Sequence, residues 1–271
     1  MPDIERPQFG GNVAEVYDSN LVPLIFEFYA ARLAERIVES NPRRVLEIAA
    51  GTGAATRAIA AVLGPGSTIL ATDLSQPMLD RAAVRQGSDP RVTFQQADAM
   101  SLPFADRSFD AAVCQFGVMF FPDKIAAHRE TRRVLEPGAR YILDAWDRIE
   151  DNTLALACSE ALAGLFPDDP PDFMRRIPHA YFDPKTITHD LEAAGFSGVS
   201  VTRVASICRA ASASQAALAY CQGTPMRGEI ETRRPGHLDD VTGVVSAALE
   251  RRFGTGMIEA PMSALIAEAV A

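Results

Sequence analysis

Short apolar segments alternate with helical segments between residues 44 and 145, and few folds admit this pattern. The sequence predicts five strands, at residues 44–49, 68–72, 91–94, 109–114 and 140–145. Helices are predicted between them, each starting or ending at a glycine, serine or proline signal. Because the strand segments are apolar throughout rather than alternating, they predict an α/β fold with a mainly parallel sheet covered by helices on both faces.

Polar residues follow four of these strands, at the edge where ligands bind in open parallel sheets. In chain order the four groups are Glu47 with the loop Gly51-Thr52-Gly53, then Asp73, then Asp98-Ala99, and then Gln115-Phe116-Gly117. Carboxyl ends of parallel strands share one edge of a sheet, so we expect these groups to lie together there.

Each group suits one part of a nucleoside ligand. The glycine loop allows close approach, and the helix after it favours an anionic group. Asp73, 20 residues after Gly53, suits both hydroxyls of a ribose. Asp98 beside the Ala99 backbone N–H matches the edge of adenine. Glu47 stands in an apolar strand, where a lone carboxylate is costly without a function. Together the groups indicate an adenosine-bearing ligand, whose reacting end should lie near Gln115 and Phe116.

Four segments carry a family resemblance: VLEIAAGTG, ATDLSQPML, QQADAMSLPFADRSFDAAVC and RETRRVLEPGARYIL. They resemble the class I S-adenosylmethionine-dependent methyltransferases, in particular the ubiquinone/menaquinone-biosynthesis type that acts on small molecules. The resemblance covers residues 12–147 well and the rest loosely. It implies S-adenosyl-L-methionine as cofactor, S-adenosyl-L-homocysteine as product, and a small, partly apolar methyl acceptor.

The resemblance also implies a Rossmann-like sheet of seven strands, with strand seven antiparallel and inserted beside strand six. The ambiguous tail 262–270 is therefore expected to be a strand. We expect a single methyltransferase domain over residues 1–271, with an N-terminal helical cover at 1–40. A lid for the substrate is expected at 148–183, and a helical insertion at 210–260 before the last strand.

Individual roles follow from the same resemblance. Gly51 and Gly53 would line the methionine part of the cofactor, Glu47 would help to neutralise its ammonium group, and Asp73 would hold the ribose. The remaining cofactor contacts would be Tyr17, Leu74, Met78, Asp98, Ala99, Gln115 and Phe116. Leu74 and Met78 would sandwich the adenine, and Tyr17 would close over the cofactor. Ala49 departs from the pattern, because the family usually has a glycine there.

The acceptor pocket is predicted between residues 9–28, Trp146 and the insertion 148–183, which is rich in Phe, Tyr and Pro and suits an apolar lid. His179, in this insertion, is the candidate general base, and Tyr17 is the candidate positioning group. His128 is expected to be a partly packed surface residue.

Charge and cysteine usage limit the partners. The net charge is −9, and Lys124 and Lys185 are the only lysines, which argues against nucleic acid. No apolar run has the length of a membrane span, and the first residues lack the layout of a signal peptide. The four cysteines are widely spaced, which predicts neither a metal site nor a disulfide framework and favours the cytoplasm.

Two other functions stay open on sequence grounds. A nicotinamide-dependent oxidoreductase would share the acid at Asp73, but its fingerprint needs Gly or Ala where Thr56 stands. A non-catalytic protein that binds S-adenosylmethionine would keep the same site. The sequence leaves the acceptor atom and the oligomeric state open.

Overall fold

The structure, a computed structural model, describes residues 12–271. Strands within this range are β1 (Arg44–Ile48), β2 (Thr68–Asp73), β3 (Val92–Gln96), β4 (Phe109–Gln115), β5 (Leu135–Trp146), β6 (Ser197–Ala210) and β7 (Ile258–Val270). They form one sheet in the order β3-β2-β1-β4-β5-β7-β6. The first five strands pair in parallel, and β7 runs antiparallel to β5. The predicted fold class is therefore confirmed, including the strand in the tail.

The α-helices of the described chain are α1 (Asn12–Val16), α2 (Glu27–Val38), α3 (Ala54–Val62), α4 (Gln76–Gln86), α5 (Lys124–Val134), α6 (Thr153–Leu165), α7 (Phe173–Arg176), α8 (Pro184–Ala193), α9 (Ala213–Gln222), α10 (Met226–Arg233) and α11 (Leu238–Phe253). A π-helical stretch, Tyr17–Phe26, follows α1. Helices α9 to α11 lie in the segment 210–260, where the sequence predicts helical structure.

The chain forms two compact units. The sheet unit comprises Glu27–Trp146, Tyr181–Val204 and Ala264–Ala271. The helical unit comprises, within the described range, residues 12–26, Asp147–Ala180 and Ala205–Ser263. The boundaries expected for the cover, the lid and the insertion remain predictions, and Phe9, at the start of the predicted acceptor pocket, lies outside the described residues.

Helices cover both faces of the sheet unit. On one face, Leu33 and Ile37 of α2 and Ile59 of α3 pack with Ile69 of β2 in one buried cluster. Each fully buried side chain of this kind contributes about 1.5–3 kcal/mol. Tyr141 points to the opposite face, because neighbours along a strand alternate.

On that second face, the ring of His128 on α5 lies 5.7 Å from the Tyr141 ring. His128 is fully buried, so the expectation of a partly exposed residue is wrong. The reason is that α5 turns this side chain towards β5. Burial, together with the charge of Lys124, lowers the pKa of His128 to about 4.

Two element boundaries differ from the prediction. The pattern predicts a helix over about residues 20–38, whereas helical structure begins at Asn12 and Pro23 lies inside the π-helical stretch. Proline cannot donate a backbone hydrogen bond in a helix interior, and the winding is irregular around it. β5 begins at Leu135 rather than at residue 140, with a register shift opposite Phe109. On the side of β5 away from β4, Arg140 of β5 forms an ion pair with Glu268 of β7.

The loop after β1 packs directly against the loop after β4. Ala49 has a φ of 56°, in the left-handed region that glycine prefers. A methyl group added at Gly117 would lie 2.5 Å from the Ala49 Cβ and 2.9 Å from the Cys114 Sγ. Ala49, which stands where the family usually has glycine, therefore requires a glycine at position 117.

We expect Gly117→Ala to lower the free energy of unfolding by about 1–3 kcal/mol, the usual cost of overpacking. Ala49→Gly removes one of the two clashing atoms, so Gly117→Ala should cost at least about 0.5 kcal/mol less in that background. Urea unfolding of the wild type, both single variants and the double variant measures this coupling. Strictly additive effects would show that the two loops do not press on each other.

Candidate functional site

The loop between β1 and α3 has a backbone that few side chains tolerate. The φ angles are 56° at Ala49, 55° at Gly51 and 79° at Gly53. Gly53 is the N-cap of α3, and no side chain caps this helix end. Backbone N–H groups at an uncapped helix start, together with the helix dipole, favour an anionic group.

Asp73 joins this loop to the end of β2. Its Oδ2 accepts a hydrogen bond from the Gly51 N–H at 2.8 Å, and its Oδ1 accepts one from the Ser75 N–H at 2.8 Å. Burial raises the pKa of Asp73, while the backbone N–H groups of Ser75 and Gly51 lower it. A carboxylate offers about four lone-pair sites, so Asp73 keeps acceptor capacity for further donors.

Glu47 is fully buried in the middle of the sheet. Its Oε2 accepts a hydrogen bond from the Thr56 hydroxyl at 2.5 Å, while Oε1 has no partner among the described residues. Burial raises the pKa of Glu47 to about 7, against the opposing effects of Thr56 and of the charge of Arg57. Arg57 is anchored nearby, since its Nη1 donates to the Thr52 carbonyl at 2.7 Å. Glu47 is thus a buried carboxyl group that titrates near neutrality.

The end of β3 forms a tight turn beside Asp73. The Asp98 Oδ1 accepts from the Met100 N–H at 2.9 Å, and the Asp98 carbonyl accepts from the Ser101 N–H at 3.0 Å. Ala99 lies within this turn, and both Asp98 and Ala99 are half-buried.

The two residues predicted to sandwich adenine lie in different environments. Leu74 is 45% exposed, whereas Met78 is 4% exposed. Their contact with a ligand stays a prediction.

The end of β4 lies beside a second buried carboxyl group. Gln115 is the register partner of Asp144 on β5, and the N–H of Phe116 donates to the Asp144 Oδ1 at 2.6 Å. The Asp144 Oδ2 has no hydrogen-bond partner among the described residues. Complete burial raises the pKa of Asp144 well above its usual value, although the Phe116 N–H opposes this.

Three rings, here called the aromatic cluster, lie at the same strand ends: Tyr29, Phe116 and Trp146. The Phe116 and Trp146 rings are stacked, with centroids 3.9 Å apart and planes 8° apart. Tyr29 stands edge-on to both, at 5.4 Å and 5.6 Å. Its hydroxyl donates to the Val204 carbonyl at 3.0 Å, which fixes the direction of the ring.

In the helical unit, the His179 ring has a fixed orientation. Its Nδ1 lies 2.8 Å from the Asp147 carbonyl oxygen. A carbonyl oxygen only accepts, so Nδ1 carries the proton in the neutral ring and Nε2 carries the lone pair. Burial lowers the pKa of His179 to about 4, so the ring is neutral at physiological pH.

A buried polar network holds the Asp147 backbone in place. The Asp147 Oδ2 accepts from the Ser263 hydroxyl at 2.8 Å. The Asn152 Nδ2 donates to the Ser263 carbonyl at 3.1 Å, and the Ser263 N–H donates to the Asn152 Oδ1 at 3.1 Å. This network determines where the His179 ring is held.

The structure brings part of the predicted site together. A hydrogen bond connects Gly51 to Asp73, and strand register pairs Gln115 with Asp144. Glu47, Asp98 and Ala99 belong to the same sheet unit. Tyr17 and His179 belong to the helical unit, where the Tyr17 ring lies 5.2 Å from that of Phe26. Their part in the site stays a prediction.

Sequence reasoning missed Thr56, Arg57, Tyr29 and Asp144. A signal for Asp144 was present, because it is a carboxyl group in an apolar strand, as Glu47 is. Thr56 and Arg57 lie on α3, and both interact with Glu47 because the loop after β1 brings this helix beside the strand. Sequence spacing does not reveal this.

The described residues contain neither a candidate metal cluster nor a membrane-spanning helix. No group of three or more His, Cys, Asp or Glu residues in that range is placed to hold a metal ion. Among the same residues, every helix is too short or too polar to span a membrane.

Known proteins match this chain. Residues 46–143 match a family model described as a methyltransferase domain. A demethylmenaquinone methyltransferase of Clavibacter sepedonicus is 33% identical over 165 residues, covering 58% of this chain and 66% of that protein. The ubiquinone/menaquinone biosynthesis C-methyltransferase UbiE of Pseudomonas aeruginosa is 35% identical over 127 residues, covering 46% and 50% respectively.

The fold also matches a solved structure. Phosphoethanolamine N-methyltransferase 2 of Haemonchus contortus, in complex with S-adenosyl-L-methionine, superposes with a TM-score of 0.61 at 18% identity, covering 98% of this chain and 58% of that one. At this identity the likeness shows the fold alone.

The sequence matches span between 37% and 66% of the length of the first curated relatives. The matched residues hold the loop after β1, Asp73, Asp98 and Gln115. The chain therefore contains a methyltransferase domain, and the family to which that domain belongs is the class I S-adenosylmethionine-dependent methyltransferases.

Proposed function

We propose that this chain transfers a methyl group from S-adenosylmethionine to a small, partly apolar acceptor. The observation that carries the proposal is the hydrogen bond from the Gly51 N–H to the Asp73 carboxylate. It joins the loop suited to the methionine part of the cofactor to the carboxylate suited to its ribose.

The residues present fit the cofactor on three counts. The uncapped start of α3 offers N–H groups to a carboxylate. Asp73 retains lone pairs for ribose hydroxyls after accepting from two backbone N–H groups. The Glu47 Oε1 is a buried acceptor without a partner in the described chain, which suits a ligand ammonium group.

Adenine would lie against the turn after β3. There Asp98 would accept from the adenine amine and the Ala99 N–H would donate to the ring, with Leu74 and Met78 on either face. The backbone carbonyl of Gln115 would accept from the cofactor's amino group, and Phe116 would lie at the reacting end.

S-adenosylmethionine, when bound, supplies a methyl group on a sulfonium that already carries its leaving group. The chain's task is to hold acceptor and methyl group in line and to exclude water. Orientation of this kind can supply up to about 7–11 kcal/mol of the barrier.

We place the acceptor between residues 9–28, Trp146 and the insertion 148–183, with that insertion acting as a lid. The names of the relatives, demethylmenaquinone methyltransferase and ubiquinone/menaquinone biosynthesis C-methyltransferase, support a small, partly apolar acceptor. We propose His179 as the base for acceptors that must lose a proton, through its Nε2 lone pair, and Tyr17 as a positioning group.

The competing functions have less support. Thr56 occupies the position where a nicotinamide-binding fingerprint needs Gly or Ala, and its hydroxyl donates a hydrogen bond to Glu47. Neither Gly nor Ala could make this side-chain contact. A non-catalytic binding protein would bind the cofactor yet show no turnover with any acceptor. We also propose a cytoplasmic location, because the four cysteines are buried free thiols, the state that a reducing compartment maintains.

The first test concerns the ribose. We expect Asp73→Ala to weaken S-adenosylhomocysteine binding by about 10- to 150-fold, since charge-assisted hydrogen bonds contribute about 1.5–3 kcal/mol. Asp73→Asn, which keeps one acceptor oxygen, should weaken binding less. Calorimetric titration measures both, and Asp80→Ala, which removes an exposed carboxylate on α4, is the matched control. An unchanged Kd for Asp73→Ala would contradict the assignment.

The second test concerns the proton on Glu47. With a pKa of about 7, Glu47 is mostly neutral at pH 6, and a ligand ammonium beside it should drive the proton off. We expect binding of S-adenosylhomocysteine at pH 6 to release about one proton more in the wild type than in Glu47→Gln. Calorimetry in two buffers with different ionisation enthalpies measures the release. Equal proton release by both proteins would remove Glu47 from the ammonium site.

The same group makes the ligand-free protein sensitive to pH. Its pKa is raised from 4.5 to about 7, so the folded state holds a proton that the unfolded chain releases between these values. Stability should therefore fall as the pH rises from 4.5 to 7, by up to about 3 kcal/mol. Urea unfolding across this range should show the fall in the wild type and its absence in Glu47→Gln.

The third test concerns His179. If Nε2 is the base, His179→Asn should lower kcat by about 10²- to 10⁴-fold while the Kd for S-adenosylhomocysteine stays within about threefold, a shift of less than 1 kcal/mol. Asn keeps an N–H near the position of Nδ1, and this limits damage to the fold. The wild-type kcat should not vary with His179 protonation above pH 6, because its pKa is about 4. His189→Ala, at an exposed position on α8, is the control; a normal kcat for His179→Asn would exclude the base.

A further inference from the structure

The backbone at Phe116 has an unfavourable conformation. Its φ is 48°, in the left-handed region where a residue with a Cβ, and a bulky one above all, is rarely found. Such a conformation persists only where the surroundings fix it, and it is concentrated at functional sites. Phe116 comes directly after β4, where the reacting end of the proposed cofactor site lies.

One side chain holds this conformation. The Asp144 Oδ1 accepts the Phe116 N–H at 2.6 Å inside a fully buried site. Asp144 is the register partner of Gln115, so its carboxyl group lies at the point where β4 ends. The restraint also fixes a ring, because Phe116 is stacked on Trp146 with their centroids 3.9 Å apart.

We propose that Asp144 is a positioning residue for the proposed methyl transfer: its carboxyl group holds Phe116 in the left-handed conformation and thereby stacks the Phe116 ring on Trp146 at the reacting end of the site. This inference rests on the proposed function for its catalytic meaning. Its structural content, the link between Asp144 and the aromatic cluster, is independent of any methyl acceptor.

The contact uses one acceptor oxygen of the carboxyl group. Its Oδ2 has no hydrogen-bond partner, and the group has no ion-pair partner within residues 12–271. The Cys114 thiol of β4 interacts electrostatically with both Asp144 and Glu47, and burial raises the pKa of this thiol as well. Burial raises the pKa of Asp144 well above its usual value. An amide offers the same acceptor oxygen, so asparagine should replace the acid at this position.

The aromatic cluster transmits the restraint. Tyr29 stands edge-on to both stacked rings and is tied to the Val204 carbonyl. Phe116 and Trp146 are each 5% exposed, so neither ring can turn without displacing the other. Loss of the Asp144 acceptor should therefore be visible at Trp146.

Trp146 is the only tryptophan of the chain, so its emission reports on this cluster alone. We expect Asp144→Ala to shift the emission maximum to longer wavelength and to lower kcat by about 10- to 100-fold, the effect of a misplaced reacting group. Asp144→Asn should recover the wild-type emission and most of the rate. Wild-type emission in Asp144→Ala, or failure of Asp144→Asn to recover it, would overturn the proposal.

A double-mutant cycle isolates the backbone restraint. Phe116→Gly removes both the ring and the penalty of the left-handed conformation, whereas Phe116→Ala removes the ring and keeps the penalty. Loss of the Asp144 restraint lets a strained backbone relax, and this offsets part of the lost hydrogen bond only where strain is present. The decrease in Tm caused by Asp144→Ala should therefore be smaller in the Phe116→Ala background than in the Phe116→Gly background, by about 2 °C or more. Equal decreases would show that Asp144 does not hold the backbone.

Thr72→Val provides a matched control, because it removes another buried hydrogen bond of the same sheet, from the Thr72 hydroxyl to the Glu47 carbonyl. It should lower Tm but leave the emission of Trp146 unchanged. Emission and Tm do not depend on turnover. The emission of the Asp144 variants could therefore change as expected while no acceptor is methylated. That result would contradict the proposed function but would leave the role of Asp144 in positioning Phe116 intact.

Discussion

The geometry of the candidate site depends on one hydrogen bond, from the Gly51 backbone N–H to the Asp73 side-chain carboxylate. Gly51 lies in the loop after β1 and Asp73 ends β2, and the register of these neighbouring parallel strands places Ile48 opposite Thr72. The carboxylate therefore cannot move relative to the glycine loop unless the sheet shifts. A backbone hydrogen bond, from the Ala97 N–H to the Asp73 carbonyl at 3.0 Å, extends the same connection to the end of β3.

Two buried carboxyl groups distinguish this sheet from a purely structural one. Glu47 and Asp144 are each fully buried, and each has one oxygen without a partner in the described chain. Unpartnered polar atoms in a core cost free energy, and apolar side chains would stabilise the sheet more. The two groups lie on β1 and β5 of the sheet unit, and the polar contacts proposed for the candidate site would account for their cost. Burial raises the pKa of both groups above its usual value, to about 7 for Glu47.

The sheet and the edge of the site could be predicted from the sequence because both leave local signals. Apolar segments mark the strands. Gly51, Asp73 and Asp98 come directly after these segments or at their ends, so the order of residues along the chain is enough to find them. The family resemblance supplied the antiparallel β7, which local pattern left ambiguous. Its prediction of a strand was confirmed.

Other features arise only when the chain is packed. The left-handed Phe116 has no sequence signature, since its conformation depends on Asp144, which is 28 residues away. His128 resembles a surface residue in its helix pattern, yet α5 buries it against Tyr141. The π-helical winding around Pro23 likewise has no signature beyond the proline itself. In each case a tertiary contact decides what a local pattern leaves open.

The antiparallel pairing of β5 with β7 has a consequence for how the sheet assembles. Arg140 and Glu268, which join these strands, are 128 residues apart in the chain. Pairing across such a separation closes a long loop, and loop-closure entropy makes such contacts form late and slowly. Until β7 arrives, β5 presents an open strand edge, the kind of surface through which incompletely folded chains associate. β7, which carries β6 on its outer side, is thus the strand that covers this edge.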